Sequence, residues 1–298
     1  MKASTFASLT IALLLTPAAA QDQVDEGYPL VKHTTGFITR DDDEIYYESS
    51  GEGDTIVFCH GLGGNHAIWY QQVAEFARRY RVIAWDQRGF GRSTANAAEA
   101  LKPATAVADL AALLDHLQVD RAHVVGQSMG GWTALGFALE HPPQVRSLVL
   151  ADTIAGIYTP EIRKAFLSYV AVARANTPAD GQFPLGRHPA IVRNLVDRDP
   201  AKALLYQQIG SFPSPPTTAV GSLLISTAYD LEALKKLDTP TLFIAGSGDP
   251  IFAASVIHKA AEQIPGSLVR EISDSGHSPY FERPAVWNEV VAEFVRGH

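Results

Sequence analysis

The chain has 298 residues, 46% of them hydrophobic and 19% charged, with a formal net charge of −8. That balance supplies a core of ordinary size and excludes global disorder. An acidic chain without a basic run also excludes a nucleic-acid surface built on clustered Lys and Arg.

The opening residues, MKASTFASLTIALLLTPAAAQDQ, place Lys2 before a short apolar run at 6–15 and the small residues Pro17, Ala18, Ala19 and Ala20. This is the pattern of a secretory signal peptide cut after Ala20. The apolar run is too short to span a bilayer comfortably. The expectation is a secreted or periplasmic protein, with residues 1–20 removed and no integral membrane segment left. Export permits disulfides, but Cys59 is the single cysteine and cannot bridge internally. Its setting, TIVFCHG, suits a buried strand thiol. No feature of the sequence sets an oligomeric state.

Strands and helices then alternate. EIYYES (44–49) reads as an early strand entered through the acidic turn RDDDE. TIVFCH (55–60) is a continuous apolar run, short enough for a buried strand. A Gly-rich loop follows, then a helical stretch from Ile68 to about Arg79. RVIAWD (81–86) is another buried strand. Val107, Leu110, Leu113, Leu114 and Leu117 recur at helical spacing across 104–117. AHVVG (122–126) is a strand, and GGWTALGFALE (130–140) a helix ended by His141, Pro142 and Pro143. VRSLVLAD (145–152), PTLFIAG (240–246) and SLVREIS (267–273) are further strands. Residues 284–295 form the closing helix, with Pro284 in its first turn.

Apolar strands separated by helices imply an α/β fold, a mostly parallel sheet covered on both faces. The strand rhythm stops between Asp152 and about Ala228. Helical pieces such as EIRKAFLSYVAVARA alternate there with Pro- and Gly-rich breaks. A helical cap is expected at 152–228, inserted between core parts at 21–151 and 229–298.

The chemistry concentrates at Gly126-Gln127-Ser128-Met129-Gly130. This is G-x-S-x-G after a strand and before a helix, the placement of a nucleophile elbow. A nucleophilic serine needs a base, and the base an orienting acid. His277, in SGHSPYFERP, lies between the last strand and the last helix, where such a fold delivers its base. Two carboxylates compete for the acid. Asp249 follows TLFIAGSG in a Gly-flanked turn and is taken as the acid. Asp152 ends the preceding sheet strand and is the alternative, or braces the start of the cap. The oxyanion hole needs two backbone N–H groups. Met129, after the nucleophile, offers one, and Leu62, in HGLGGN, is the candidate for the other. His60 is expected to brace that loop. In DQRGFGRS (86–93), Asp86 and Arg88 are expected to ion-pair and pin a turn. His66 and His188 fall where they could line a pocket, without an assigned role.

Taken together, HGLGGN, DQRGFGRS, GQSMGG, GSGDP and SGHSPYFERP resemble the α/β-hydrolase superfamily, in its order and at its spacing. The resemblance covers nearly all of the chain after the leader, except the cap. It implies an α/β-hydrolase fold with a helical cap and a triad of Ser128, Asp249 and His277. It also implies Leu62 and Met129 as oxyanion donors and no metal or organic cofactor. Serine at the elbow departs from the haloalkane dehalogenases and epoxide hydrolases, which carry aspartate there. Met129 departs from the prolyl aminopeptidases, which favour tryptophan. The nearest branches are small esterases, enol-lactone hydrolases, carbon–carbon hydrolases and cofactor-free perhydrolases. Leu62 and Gln127 stand where the carbon–carbon hydrolases tend to have a small residue and an asparagine. The expected function is a serine hydrolase cleaving small to medium apolar esters or lactones. Carbon–carbon cleavage or perhydrolysis is the enzymatic alternative, and a ligand receptor that keeps its triad the non-enzymatic one. Phe166, Leu167, Tyr169, Val170, Phe183, Leu185, Tyr206 and Phe212 are candidates for an apolar ceiling, or for the cap's own core.

Overall fold

A computed structural model describes residues 31–176 and 183–298. The signal-peptide reading of residues 1–20 lies outside the described residues. Among them, eight strands form one sheet: β1 (His33–Arg40), β2 (Asp43–Ser50), β3 (Thr55–Cys59), β4 (Arg81–Trp85), β5 (Ala122–Gln127), β6 (Val145–Ala151), β7 (Thr241–Gly246) and β8 (Leu268–Ile272). Their order is β1-β2-β4-β3-β5-β6-β7-β8. The β1–β2 and β2–β4 pairs are antiparallel, and every other pair is parallel.

The helices are α1 (Tyr70–Phe76), α2 (Pro103–His116), α3 (Met129–Glu140), α4 (Pro160–Asn176), α5 (Leu195–Arg198), α6 (Pro200–Ile209), α7 (Thr217–Ser226), α8 (Leu231–Leu234), α9 (Ala254–Ala261), α10 (Pro279–Glu282) and α11 (Pro284–Arg296). Successive residues of a strand face opposite sides of the sheet, and β3 shows why its run is apolar throughout. Val57 and Cys59 join the layer formed with Leu110, Leu113 and Leu135 of α2 and α3. Ile56 and Phe58 join the layer formed with Phe76 of α1 and Trp287 and Val291 of α11. Neither face of the strand meets water, so neither side of the alternation is polar. The chain leaves the sheet after Ala151 and returns at Thr241, and α4 to α8 lie between. Among the described residues, no helix is long and apolar enough to cross a membrane.

The strand β1 had no signal in the sequence reading. HTTGFITR is an edge strand whose residues are mostly exposed, with Ile38 its one buried side chain. A strand with so little to bury carries no apolar alternation to read. The acidic turn before β2 is instead the tip of a β1–β2 hairpin. Asp41 and Asp42 both take positive φ, 52° and 63°, as a two-residue hairpin loop requires.

The expected Asp86–Arg88 ion pair does not form. Gly91, at a φ of 57°, brings the chain back so closely that a Cβ there would overlap the Asp86 carboxylate. Asp86 therefore accepts from the N–H of Arg92 (2.8 Å), the N–H of His66 (2.6 Å) and His66 Nδ1 (2.8 Å). Arg88 points away into the core. Its Nε donates to Asp109 Oδ2 on α2 and its Nη1 to Asp43 Oδ2 on β2, both at 2.7 Å. Arg88 is 3% exposed and Asp109 fully buried, and Asp109 also accepts from Arg40 Nη1 at 2.7 Å, so removing Asp109 takes a buried acceptor from two guanidiniums and leaves Arg88 with Asp43 as its one buried acid. Asp109→Ala is expected to lower unfolding free energy by about 3–5 kcal/mol in urea titrations. A loss below about 1 kcal/mol, as for a surface pair, would contradict this.

Candidate active site

The turn between β5 and α3 is one residue, Ser128, at φ 51° and ψ −118°. Such a backbone costs of order 1–3 kcal/mol and persists only when its surroundings hold it. Three hydrogen bonds do so. Ser128 N–H donates to the Ala151 carbonyl (2.9 Å), and the Ser128 carbonyl accepts from Gly131 N–H (2.9 Å) and Thr153 Oγ1 (2.8 Å). Gly130 lets α3 start directly over the end of β3, since a Cβ there would overlap the Cys59 and His60 carbonyls. From Ala122 to Ala138 every residue is buried except Ser128. The fold thus exposes one hydroxyl at the carboxyl end of a central strand.

His277 stands between β8 and α10. Its Nδ1 is 2.9 Å from Asp249 Oδ2. Asp249 Oδ1 accepts from the N–H groups of Ile251 (2.7 Å) and Phe252 (3.1 Å), which fixes the carboxylate in its turn after β7. With Nδ1–H donating to a carboxylate, the neutral ring keeps its lone pair on Nε2, the form a general base needs. The Ser128 turn and the His277 loop are tied together by Gln127, whose Nε2 donates to the His277 carbonyl at 2.9 Å. In the sequence Gln127 marks a departure from the carbon–carbon hydrolases and gives no sign of this tie. Buried amides in a strand give no sign of a partner 150 residues away.

Asp152 lies beside this pair, fully buried, at a φ of 49°. One oxygen each from Asp152 and Asp249 and one His277 nitrogen all fall within 4.8 Å of one another. Of the two candidate acids, Asp249 is the one bonded to His277. Asp152 Oδ1 accepts from Gly246 N–H (2.7 Å), and its Oδ2 has no partner. Burial, and then the charge of Asp249, push its carboxyl well above the usual carboxylate range. These three are also the one group of metal-type donors this close among the described residues.

A third carboxyl, Glu282, is 4% exposed. Its Oε1 accepts from Gly276 N–H (2.9 Å) and Ser278 N–H (3.3 Å), the two residues flanking His277. Its Oε2 accepts from Val192 N–H (2.9 Å), between β6 and β7. Burial raises its pKa, against the pull of those three donors. The signal for it was present in the sequence, a lone carboxylate in the aromatic and proline-rich stretch SPYFERP.

Met129 opens α3, so its N–H has no helical acceptor. Leu62 follows Gly61, where a Cβ would meet the Ser128 Cβ at 3.1 Å, so this backbone passes beside the serine. His60 braces the two loops around it. Its Nδ1 bonds the Gly61 carbonyl (2.8 Å) and its Nε2 accepts from Gln87 N–H (3.0 Å). His66 belongs to Asp86, as described above. His188 accepts from Ala190 N–H at Nδ1 (3.1 Å). Burial and the nearby His277 lower its pKa to about 4, so it is neutral with its proton on Nε2. Of the candidate ceiling residues, Phe166 packs into the core against Phe252 and Trp132. Leu167, Leu185 and Phe212 are exposed. Tyr206 reaches the base loop, 2.8 Å from Ser278 Oγ.

Residues 54–284 match the sequence profile of the alpha/beta hydrolase fold family. The chain belongs to the α/β-hydrolase family. It is similar to RutD of Caulobacter sp. (strain K31), a protein named for carbamate hydrolysis, at 29% identity over 86% of this chain and 97% of that one. It is similar to 3-oxoadipate enol-lactonase 2 of Acinetobacter baylyi at 29% identity, covering 89% and 98%. Among solved structures it resembles a thermophilic esterase from Thermogutta terrifontis, with a TM-score of 0.70 and 26% identity over 89% and 98% of the two chains. This α/β-hydrolase is an enzyme.

Glu282→Ala leaves three N–H donors without their acceptor, two of them beside His277. Loss of kcat/KM on the order of 100-fold is expected from a displaced His277, with a lowered Tm. An unchanged kcat/KM in the folded variant would show that His277 is placed without it.

Proposed function

We propose that this hydrolase cleaves carboxylic esters or lactones of small to medium apolar molecules through an acyl-enzyme on Ser128. One observation carries the reading. The single unburied residue of a long buried segment is a serine in a strained turn, and the loop beside it holds a histidine already bonded to a carboxylate. His277 Nε2 takes the Ser128 proton as Oγ attacks the carbonyl carbon. The carbonyl π electrons move onto oxygen, and the N–H groups of Met129 and Leu62 stabilise that oxyanion. Asp249 holds the ring and its positive charge. The imidazolium returns its proton to the leaving alkoxide. Water, deprotonated by His277, then cleaves the acyl-enzyme and frees Ser128.

The ester, lactone and carbamate names of the relatives all describe acyl transfer to water, which the same steps serve. A screen of short-chain esters, lactones, carbamates, long-chain esters and vinylogous diketones separates these classes. Ser128→Ala is expected to lose several orders of magnitude in rate on whichever class is turned over. Equal rates for Ser128→Ala and the native enzyme would refute the assignment, and turnover of the diketones alone would favour carbon–carbon cleavage. Many turnovers per enzyme distinguish hydrolysis from a receptor that is acylated once.

Export is part of the same proposal, resting on residues 1–20. N-terminal sequencing of the protein from its native host is expected to begin at Gln21. A chain that starts at Met1 and stays in the cytoplasmic fraction would contradict it.

A further inference from the structure

The Asp249–His277 pair leaves one buried polar atom beside it unexplained. Asp152 Oδ2 has no hydrogen-bond partner, although the residue is fully buried. Its carboxyl stands within 4.8 Å of both Asp249 and His277. The other oxygen is used, by Gly246 N–H at the end of β7. A carboxyl needed only to tie β6 to β7 requires one acceptor, which an asparagine would supply without a second titratable oxygen. The backbone of Asp152 is also held at positive φ, with its N–H donated to Ile244 (2.8 Å).

We propose that Asp152 is a second acid for His277, neutral in the resting enzyme and able to hold the imidazolium when the charge of Asp249 is absent. The inference rests on the Ser128–His277–Asp249 reading above. Two carboxylates this close in a buried site do not both ionise. Asp249 accepts three donated hydrogens, from His277, Ile251 and Phe252, and Asp152 accepts one. The negative charge therefore rests on Asp249, and Asp152 keeps its proton. Other ionisable groups that act on Asp152 or feel it are Glu282, Tyr206 and Tyr280. Glu282 adds to the cost of a charge on Asp152. Removing the Asp249 carboxylate takes away its nearest anion. Burial still opposes a charge on Asp152, so its proton leaves for bulk water only as the imidazolium forms, and its free oxygen then accepts from His277 Nδ1–H across the space that Asp249 vacates. Asp152 is a positioning residue in this scheme: it acts on the reaction only through the ring.

The test is a double-mutant cycle on kcat/KM with a short p-nitrophenyl ester. It uses Asp152→Asn, Asp249→Ala, the double variant, and Ser128→Ala as control. Losing a triad acid outright costs about 10⁴-fold. Asp249→Ala is expected to lose clearly less than this, and the double variant to reach it. Asp152→Asn is therefore expected to cost at least about tenfold more in the Asp249→Ala background than in the native one, a coupling of about 1.4 kcal/mol. A purely structural Asp152 gives the same factor in both backgrounds, which would overturn the proposal. If Asp249→Ala does not fold, as judged by circular dichroism, Asp249→Ser replaces it, since its short side chain also empties the space beside His277 while its hydroxyl can accept from the N–H groups of Ile251 and Phe252. Retained activity in Ser128→Ala would refute the triad reading. An inactive Ser128→Ala with equal factors refutes only the second acid.

Discussion

The backbone of one serine is the constraint on which the rest depends. A β5 that ends in Gln127 and an α3 that begins at Met129 can be joined by a single residue only if that residue accepts a positive φ. The peptide groups of Ser128 are tied to Ala151, Gly131 and Thr153, so the strain is held by β6 and by the segment that follows it. The same tight join forces α3 against the end of β3, where only glycine fits at 130. Everything catalytic in the proposed scheme is measured from this point. The Met129 N–H exists as a free donor because the helix starts there. The Leu62 backbone comes within reach because residue 61 is glycine, where a Cβ would crowd Gln127 Oε1 and stand 3.1 Å from the Ser128 Cβ. The His277 loop docks because Gln127, one residue earlier, reaches its carbonyl.

The electrostatics around His277 follow from counting donors. Three carboxyls, Asp152, Asp249 and Glu282, are buried near one imidazole. Burial opposes a charge on each of them, and donated hydrogen bonds are what offset it. Asp249 accepts from two backbone N–H groups and the ring, and Glu282 from three backbone N–H groups. Asp152 accepts one. The carboxyl with the fewest donors is thus the one driven toward its neutral form. Glu282 serves a different end. It links Val192, in the segment between β6 and β7, to both neighbours of His277, so that segment and the His277 loop share one buried acceptor.

The sequence revealed those parts of the fold that burial makes regular. β3, β5 and β7 are buried on both faces and read as apolar runs, and α2 shows its buried stripe at helical spacing. β1 escaped notice because an edge strand buries too little to leave a pattern. Ser128, Asp249 and His277 were marked by motifs, each at the end of a strand where the turn chemistry is distinctive. Gln127 and the closeness of Asp152 to His277 were not, because each depends on contacts between segments far apart in the chain, whereas Glu282 stood in the sequence as a lone carboxylate beside His277 and only its tie to Val192 is distant. The expected Asp86–Arg88 pair failed for a related reason. Proximity in sequence suggested it, while a turn at Gly91 and buried acids on β2 and α2 drew the two side chains apart.

The central claim is that Ser128 is the nucleophile and His277 its base. Intact-mass and peptide mass spectrometry after reaction with a fluorophosphonate tests it directly. The result expected is one phosphonyl group per chain, on the peptide containing Ser128, absent in Ser128→Ala and formed far more slowly in His277→Ala. An adduct on another residue, or one that persists in Ser128→Ala, would contradict it.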